Sequence, residues 1–220
     1  MYAWDFAALK PYWGLIGQGL GVTVLYTAIT VLAGLTIGLA VGILRTTAPR
    51  WVAVPLRGYT EVFRCTPLLV QLVWVYYALP VLIGVDMSAT TACFLTLSLY
   101  AGSFYAEIFR GGIEAIDRGQ WEAGHAVGMR EGRIFRRIIL PQAIQVMVPS
   151  LINQTIMQLK NTSLVSTVAV GDLLYQGSVI TAASYRPLEV YTTIAVLYFV
   201  VLFPLTLVAD QIENRLGAHR

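Results

Sequence analysis

The chain is short of charged residues, and this shortage limits what kind of protein it can be. Only 12% of its 220 residues are Asp, Glu, Lys or Arg, whereas 57% are hydrophobic. A soluble domain contains about 25% charged residues. With a mean hydropathy of +0.67, the composition argues against a soluble enzyme and indicates a protein that lies mostly in lipid.

Several sequence motifs of enzymes are also missing. Neither lysine follows a glycine, so the Gly-Lys-Ser/Thr sequence that cradles phosphate in P-loop ATPases does not occur. The His-Glu-x-x-His and Gly-x-Ser-x-Gly sequences are absent too. Cys65 and Cys93 lack the spacing of a metal or redox pair, and we interpret both as packing residues. We expect no catalytic residue, metal or cofactor in this chain.

Long uncharged stretches predict an all-α integral membrane protein with five transmembrane helices. The stretches are residues 11–44, 65–85, 87–106, 138–159 and 190–209. Each reaches the ~20 residues that cross a ~30 Å hydrocarbon core, and a backbone in lipid must bond to itself as a helix. The expected spans are approximately residues 14–44, 61–80, 90–113, 138–160 and 188–212. They form a single domain, residues 1–220, with a polar loop at 117–137.

The distribution of basic residues predicts the orientation of the spans. With five spans, twelve arginines fall on the side of the C-terminus, and only Lys10 and Arg186 fall on the other side. The positive-inside rule then places the N-terminus outside and the C-terminus in the cytoplasm. Because these arginines flank membrane spans, we do not expect a nucleic acid as partner.

Polar side chains are concentrated on the predicted fourth span. Asn153, Met157 and Lys160 share one helical face, and Gln154, Gln158 and Asn161 share the adjacent face. Polar groups inside a span are costly unless they are used, so these residues are candidates for lining a solute path. Thr66 and Gln71 on the second span are further candidates. Lys160 either attracts a carboxylate or extends to the outer interface, and both interpretations remain open.

Two pairs of opposite charges lie one helical turn apart near the inner ends of spans. They are Glu61 with Arg64 and Glu107 with Arg110. Such spacing allows an ion pair on a helix surface. We expect both pairs to be structural anchors.

The loop between the third and fourth spans has the pattern of a short helix. Asp117 and Gln120 have the spacing of a capping box, and Gly128 is a suitable stop. Its residues include Trp121, Glu122, Ala123, Gly124 and His125. Small residues allow a partner to approach closely, and Trp121 and Glu122 can anchor it. The alternative is an amphipathic loop on the membrane surface, although the apolar face is weak.

Gly119 to Gly128, followed by Ile138-x-Leu140-Pro141, resembles the EAA loop of ABC importer permeases. Three more segments resemble the polar amino-acid subfamily, which includes histidine, glutamate, glutamine and arginine importers. They are Glu61 to Gln71, Tyr105 to Ile113, and Leu159 to Leu164. Three positions depart from the family pattern: Cys65 stands where Gly is usual, Gly124 replaces the second Ala, and Arg130 stands where Ser or Thr is common.

The resemblance implies a type I ABC importer fold in the bacterial inner membrane. In that family the loop forms a coupling helix that docks on an ATPase subunit, and the ATPase binds ATP and Mg²⁺. The implied partners are two cytoplasmic ATPase copies, a second permease subunit that is identical or related, and an extracytoplasmic amino-acid-binding protein. An ATP-independent secondary transporter or channel, or a membrane anchor, is the alternative function. The sequence does not identify the amino acid.

Overall fold

The computed structural model describes the backbone of residues 2–217 and the side chains of residues 2–215. Within that range the protein is helical and contains no β-strand. The α-helices are α1 (Trp13–Thr47), α2 (Arg50–Cys65), α3 (Leu68–Val73), α4 (Leu79–Ile83), α5 (Ala89–Glu114), α6 (Arg118–Ala126), α7 (Glu131–Ile134), α8 (Leu140–Asn161), α9 (Leu173–Ser184) and α10 (Pro187–Gly217). Segments of 3₁₀-helix (Phe6–Tyr12, Thr162–Val168) and π-helix (Trp74–Ala78, Phe135–Ile139) adjoin them.

The predicted second span differs from the structure. Instead of one helix over residues 61–80, α2 ends at Cys65 and the axis turns by 110° before the helical segment Leu68–Ile83. The cause is local: Pro67 has no N–H, and the residue before a proline is driven into the extended region. Thr66 accordingly has φ −116° and ψ 143°. Helices α1, α5, α8 and α10 coincide closely with the other four predicted spans.

Three helical segments within the described residues are long and apolar enough to cross a bilayer. They are Phe6–Thr47, Ala89–Glu114 and Pro187–Arg215. Two bent pairs, Arg50–Cys65 with Leu68–Ile83 and Glu131–Val168 with Leu173–Ser184, meet the same criteria when each is taken as one span. The structure is therefore compatible with three to five spans.

The closest helix packing is between α1 and α5. A Cβ added to Gly34 would lie 2.7 Å from the Cβ of Ala101, and one added to Gly42 would lie 3.1 Å from the carbonyl oxygen of Ala106. The distance at Gly34 is shorter than a methyl group allows, and the distance at Gly42 would require the neighbouring backbone to shift by a few tenths of an ångström. Small residues are used in this way in membranes, where close backbone approach replaces the hydrophobic driving force between helices.

Two buried clusters hold the remaining elements to this pair. One cluster surrounds Tyr26, whose ring stacks on Phe94 with centroids 4.2 Å apart, and it includes Cys93. The other cluster joins the N-terminal segment to α9 and α10 through Leu9, Ile16, Leu173, Ile180, Val190 and Ile194. Cys93 is thus a packing residue as predicted, whereas the same prediction was wrong for Cys65, which is exposed at the end of α2.

We predict that Gly34→Ala destabilises the bundle and that Gly21→Ala does not. The added methyl group would clash with α5 at position 34, and overpacking of this kind costs about 1–3 kcal/mol. A Cβ at Gly21 meets nothing within 4 Å, so the better helix propensity of alanine acts there alone. Thermal unfolding of the two variants in the same detergent measures the difference. Equal midpoints would contradict the close contact between α1 and α5.

Candidate functional site

Helix α6 has well-defined ends. At its start, Oδ1 of Asp117 accepts a hydrogen bond from the Gly119 N–H at 2.6 Å. At its end, Gly128 is left-handed (φ +74°) and its N–H donates to the His125 carbonyl at 2.9 Å. The Met129 N–H donates to the Gly124 carbonyl at 3.0 Å. This pair of bonds is a Schellman motif, which satisfies the last carbonyls of a helix.

The N-terminal cap differs in one respect from the predicted capping box. The Gln120 side chain does not return to Asp117 but accepts a weak hydrogen bond from Nε2 of Gln142, at 3.4 Å. Gln142 also donates to the Ile138 carbonyl. The contact therefore links α6 to the first turn of α8, a link between residues 22 positions apart that cap spacing does not reveal.

One face of α6 rests on the segment that leads into α8. Gly124 is buried, and a Cβ on it would lie 2.7 Å from Cγ1 of Ile134. The Trp121 ring is 6.5 Å from the Phe135 ring, with 30° between their planes. The other candidate residues, Glu122, Ala123, His125 and Gly128, are exposed. Gly124 therefore serves the contact within the chain, and the exposed residues form the free face.

Glu107 on α5 is the centre of an ionic network at one end of the bundle. It accepts hydrogen bonds from Arg45, and from Nε and Nη2 of Arg110 at 3.2 and 2.8 Å. Arg45 also donates to Thr60 Oγ1 at 3.0 Å, and the Arg45 side chain is only 9% exposed. The network joins α1, α2 and α5.

The predicted pairs are only partly formed. Glu107 does bind Arg110, but Arg64 lies 3.7 Å from Glu107, and no Glu61–Arg64 ion pair occurs within the described residues. The reason is that the last turn of α2 faces α5, where the Arg64 guanidinium also lies 5.7 Å from the centre of the Phe104 ring. Arg45 was missed because its partner is 62 residues away in the sequence.

A cavity of about 320 Å³ lies beside this network, between the end of α2, α5 and α8. Its polar groups are Arg64, Glu107 and Ser150, and Phe104 and Met147 belong to its apolar lining. Sequence reasoning did not identify Phe104 or Ser150, because neither belongs to a charge pair or to the polar faces of α8. The cavity combines one cation, one carboxylate, a hydroxyl and apolar surface.

The polar residues of α8 fall into two environments. Asn153, Met157 and Lys160 are exposed, whereas Gln154 and Asn161 are half-buried. Gln158 is fully buried, and its Nε2 donates to Thr30 Oγ1 at 3.0 Å and to the Leu97 carbonyl at 3.3 Å. In this conformation Gln158 thus joins α8 to α1 and α5. Asn153, Met157 and Lys160 form the exposed face of α8.

Hydrogen bonds from Gln71, one of them to Thr66, stabilise the bend between α2 and α3. Nε2 of Gln71 donates to the Phe63 carbonyl at 3.0 Å and to Thr66 Oγ1 at 2.6 Å. These bonds satisfy acceptors that the missing Pro67 N–H and the broken helix leave free. Both residues therefore hold the bend, and the bend places Arg64 near the cavity.

A second polar network lies at the opposite end, where the chain begins. Glu189 is fully buried and accepts hydrogen bonds from the Tyr2 hydroxyl at 2.5 Å, the Asp5 N–H at 3.0 Å and Arg186 Nη1 at 3.0 Å. Donation to this carboxylate raises the pKa of the Tyr2 phenol. The network clamps the N-terminal segment to the first turn of α10. Among the described residues, no group of three His, Cys, Asp or Glu side chains could hold a metal ion.

Comparison with known proteins identifies the class of this helical bundle. Residues 15–218 match the family described as the inner membrane component of binding-protein-dependent transport systems. The chain therefore belongs to this family, whose members are membrane permeases of transport systems.

Individual relatives cover nearly the whole chain. The chain is 33% identical to the arginine transport system permease protein of Bacillus subtilis over 218 residues, 98% of both chains. It is 34% identical to the glutamine transport system permease protein of Escherichia coli K12 over 214 residues, 96% of this chain and 97% of the other.

Solved structures show the same fold. A crystal structure of an amino acid ABC transporter with histidines superposes with a TM-score of 0.91 and 34% identity, covering 97% of this chain and 100% of the other. An inward-facing methionine ABC transporter superposes with a TM-score of 0.75 at 24% identity, which shows similarity of fold alone.

We predict that Arg45→Gln destabilises the protein by about 3 kcal/mol, because removing one partner of a buried ion pair leaves the other charge poorly compensated. Arg57→Gln is the matched control, since Arg57 lies on α2 and is exposed. Unfolding midpoints in detergent compare the two. A loss in Arg57→Gln as large as that in Arg45→Gln would contradict a specific role of the Glu107 network.

Proposed function

We propose that this chain is one of two permease subunits that together enclose the membrane path of a type I ABC importer for a polar amino acid. The family and the named relatives support a permease component of an amino acid ABC importer. The observation that carries the mechanism is α6, a short helix with fixed ends, a packed inner face and an exposed outer face. Energy then comes from a separate ATPase, since this chain has no P-loop sequence.

The proposed topology has five spans. They are α1, the broken unit α2 to α4, α5, α8 with its flanking segments, and α10, with the N-terminus outside and the C-terminus in the cytoplasm of a bacterium. The positive-inside rule supports this orientation, because α6 and most arginines then share the cytoplasmic side. The Tyr2–Glu189 network then lies on the outer side, where a solute-binding protein delivers its ligand.

We assign coupling to the free face of α6. Glu122, Ala123, His125 and Gly128 dock on one ATPase subunit, while Trp121 and Gly124 fix α6 to the segment that enters α8. Two ATPase copies bind ATP and Mg²⁺, and their closure displaces α6. Because α8 packs on α5 and α1, the displacement moves several spans together. An ATP-independent transporter would have no use for such a helix.

We place the solute in the 320 Å³ cavity, with the polar α8 face as its approach. A zwitterionic amino acid needs a cation for its carboxylate and an acceptor for its ammonium group. Arg64 supplies the first, and it is not fully engaged, since its contact to Glu107 is 3.7 Å long. Ser150 and the Glu107 carboxylate supply acceptors. Lys160 follows Ser150 by ten residues on the same helix, which is about 15 Å or nearly three turns at about 1.5 Å per residue, and it attracts the solute carboxylate from further out.

Replacing Glu122 by Ala should lower uptake about tenfold or more while the protein still inserts in the membrane. A hydrogen bond to a charged group contributes about 1.5–3 kcal/mol, and 1.4 kcal/mol corresponds to about tenfold. Gly128→Val should act similarly, because a β-branched residue is strained at a positive φ. Glu213→Ala, an exposed acidic residue near the end of α10, is the control.

The measurement is uptake of labelled amino acid into vesicles, together with native mass spectrometry of the complex extracted from its host membrane. We expect two ATPase chains in the wild-type complex and a reduced number in the Glu122 variant. Unchanged uptake in both variants, or a stable complex that never contains an ATPase, would refute the proposed coupling.

Arg64→Gln should weaken binding of the amino acid about tenfold, and Lys160→Gln should weaken it only two- to threefold, about 0.5 kcal/mol. Both variants remove one positive charge, but only Arg64 lines the cavity. The measurement is binding of radiolabelled L-arginine and L-glutamine to the purified complex without its binding protein. A large loss in Lys160→Gln with none in Arg64→Gln would move the site to the outer end of α8.

A further inference from the structure

A cavity of about 610 Å³ lies on the helical segment that leads from α7 into α8, and its lining is strongly basic. It consists of Gly132, Arg133, Arg136 and Arg137. The three arginines are spaced by three and four residues, so they face one side of the helical segment that runs from α7 into α8. Gly132 leaves the space open. All four residues are exposed.

The three guanidinium groups have no acidic partner in the part of the chain that the structure describes. The ion pairs found there use Arg45, Arg64, Arg110 and Arg186. No acidic side chain lines the cavity either. Three like charges around one concave surface repel each other, and an anion placed between them would offset that repulsion.

The position of the cavity indicates which anion it meets. Ile138 and Ile139 follow Arg137 directly, Ile139 is fully buried, and α8 begins at Leu140. If α8 enters the membrane from the cytoplasm, as the proposed function has it, the arginines lie at the level of the lipid headgroups of the inner leaflet. One guanidinium group can donate two parallel hydrogen bonds to two oxygens of a phosphate. Basic pockets on the cytoplasmic side of membrane proteins bind anionic lipid headgroups.

We infer that Arg133, Arg136 and Arg137 bind the phosphate headgroup of an anionic phospholipid at the base of α8. The inference rests on the proposed orientation of the chain. A bound headgroup holds the segment between α6 and α8 at a fixed depth in the membrane. Loss of the lipid would leave three unpaired charges on the segment that transmits movement from α6.

The test uses the complete importer complex in nanodiscs that contain phosphatidylglycerol and phosphatidylcholine. The first variant carries Arg133→Gln, Arg136→Gln and Arg137→Gln together. The control carries Arg50→Gln, Arg57→Gln and Arg215→Gln, which removes the same charge from exposed arginines elsewhere. Native mass spectrometry counts the phosphatidylglycerol molecules that stay bound after transfer to mild detergent, and this readout does not depend on transport.

We expect the first variant to lose at least threefold in bound phosphatidylglycerol and the control to match the wild type. A variant with Arg133→Lys, Arg136→Lys and Arg137→Lys keeps the charge but loses the two-pronged guanidinium geometry, and its retention should fall between those of the first variant and the control. Equal retention in the first variant and the control would overturn the inference. Loss of the ATPase from the first variant in lipid-free detergent would also overturn the inference, because the three arginines would then be a contact for the ATPase. Release of the lipid by millimolar inorganic phosphate would make the cavity a site for free phosphate instead. Failure of uptake with lipid retention intact would bear on the proposed function alone.

Discussion

The close contact of α1 with α5 is the constraint on which the rest of the structure depends. Gly34 and Gly42 bring the two backbones together, and α5 then becomes the central helix, with α1, α2, α3 and α8 packed around it. The contact also brings Arg45 at the end of α1 within reach of Glu107 on α5. The charges of Arg45 and Glu107, which would be costly to expose to lipid, are thereby mostly buried within the protein. The glycines and the charges are parts of the same arrangement.

The segment from α6 to α8 shows how a small surface can be connected to the bundle. Helix α6 rests on Ile134 and Phe135, and the chain continues from there through a π-helical turn into α8. In turn α8 is joined to α5 by the Tyr105–Thr155 hydrogen bond of 2.9 Å and to α1 by Gln158. Closely packed interiors transmit strain rather than absorb it. A force on the free face of α6 therefore reaches two further helices without passing through a flexible loop.

Much of this architecture was predictable because membrane spans have a strong local signature. Uncharged stretches located α1, α5, α8 and α10, and the Asp117 and Gly128 signals bounded α6, since caps depend on neighbouring residues. The break at Thr66 was harder to predict, because a proline near the start of a predicted span allows either a first turn or a kink, and the sequence pattern alone does not choose between them. The Arg45–Glu107 pair and the cavity at Ser150 join residues distant in sequence, and hydropathy and spacing carry no information about such contacts.

The two cysteines differ in exposure, and this difference allows selective labelling of one of them. Cys93 is buried beside Tyr26 in the core, whereas Cys65 is exposed and adjacent to Arg64 at the bend between α2 and α3. A thiol-reactive fluorophore or spin label would thus attach to one native position, next in sequence to the cavity-lining Arg64, without any engineered residue. A label on Cys65 would report on the bend between α2 and α3, so movement of this bend can be followed spectroscopically in the unmodified sequence.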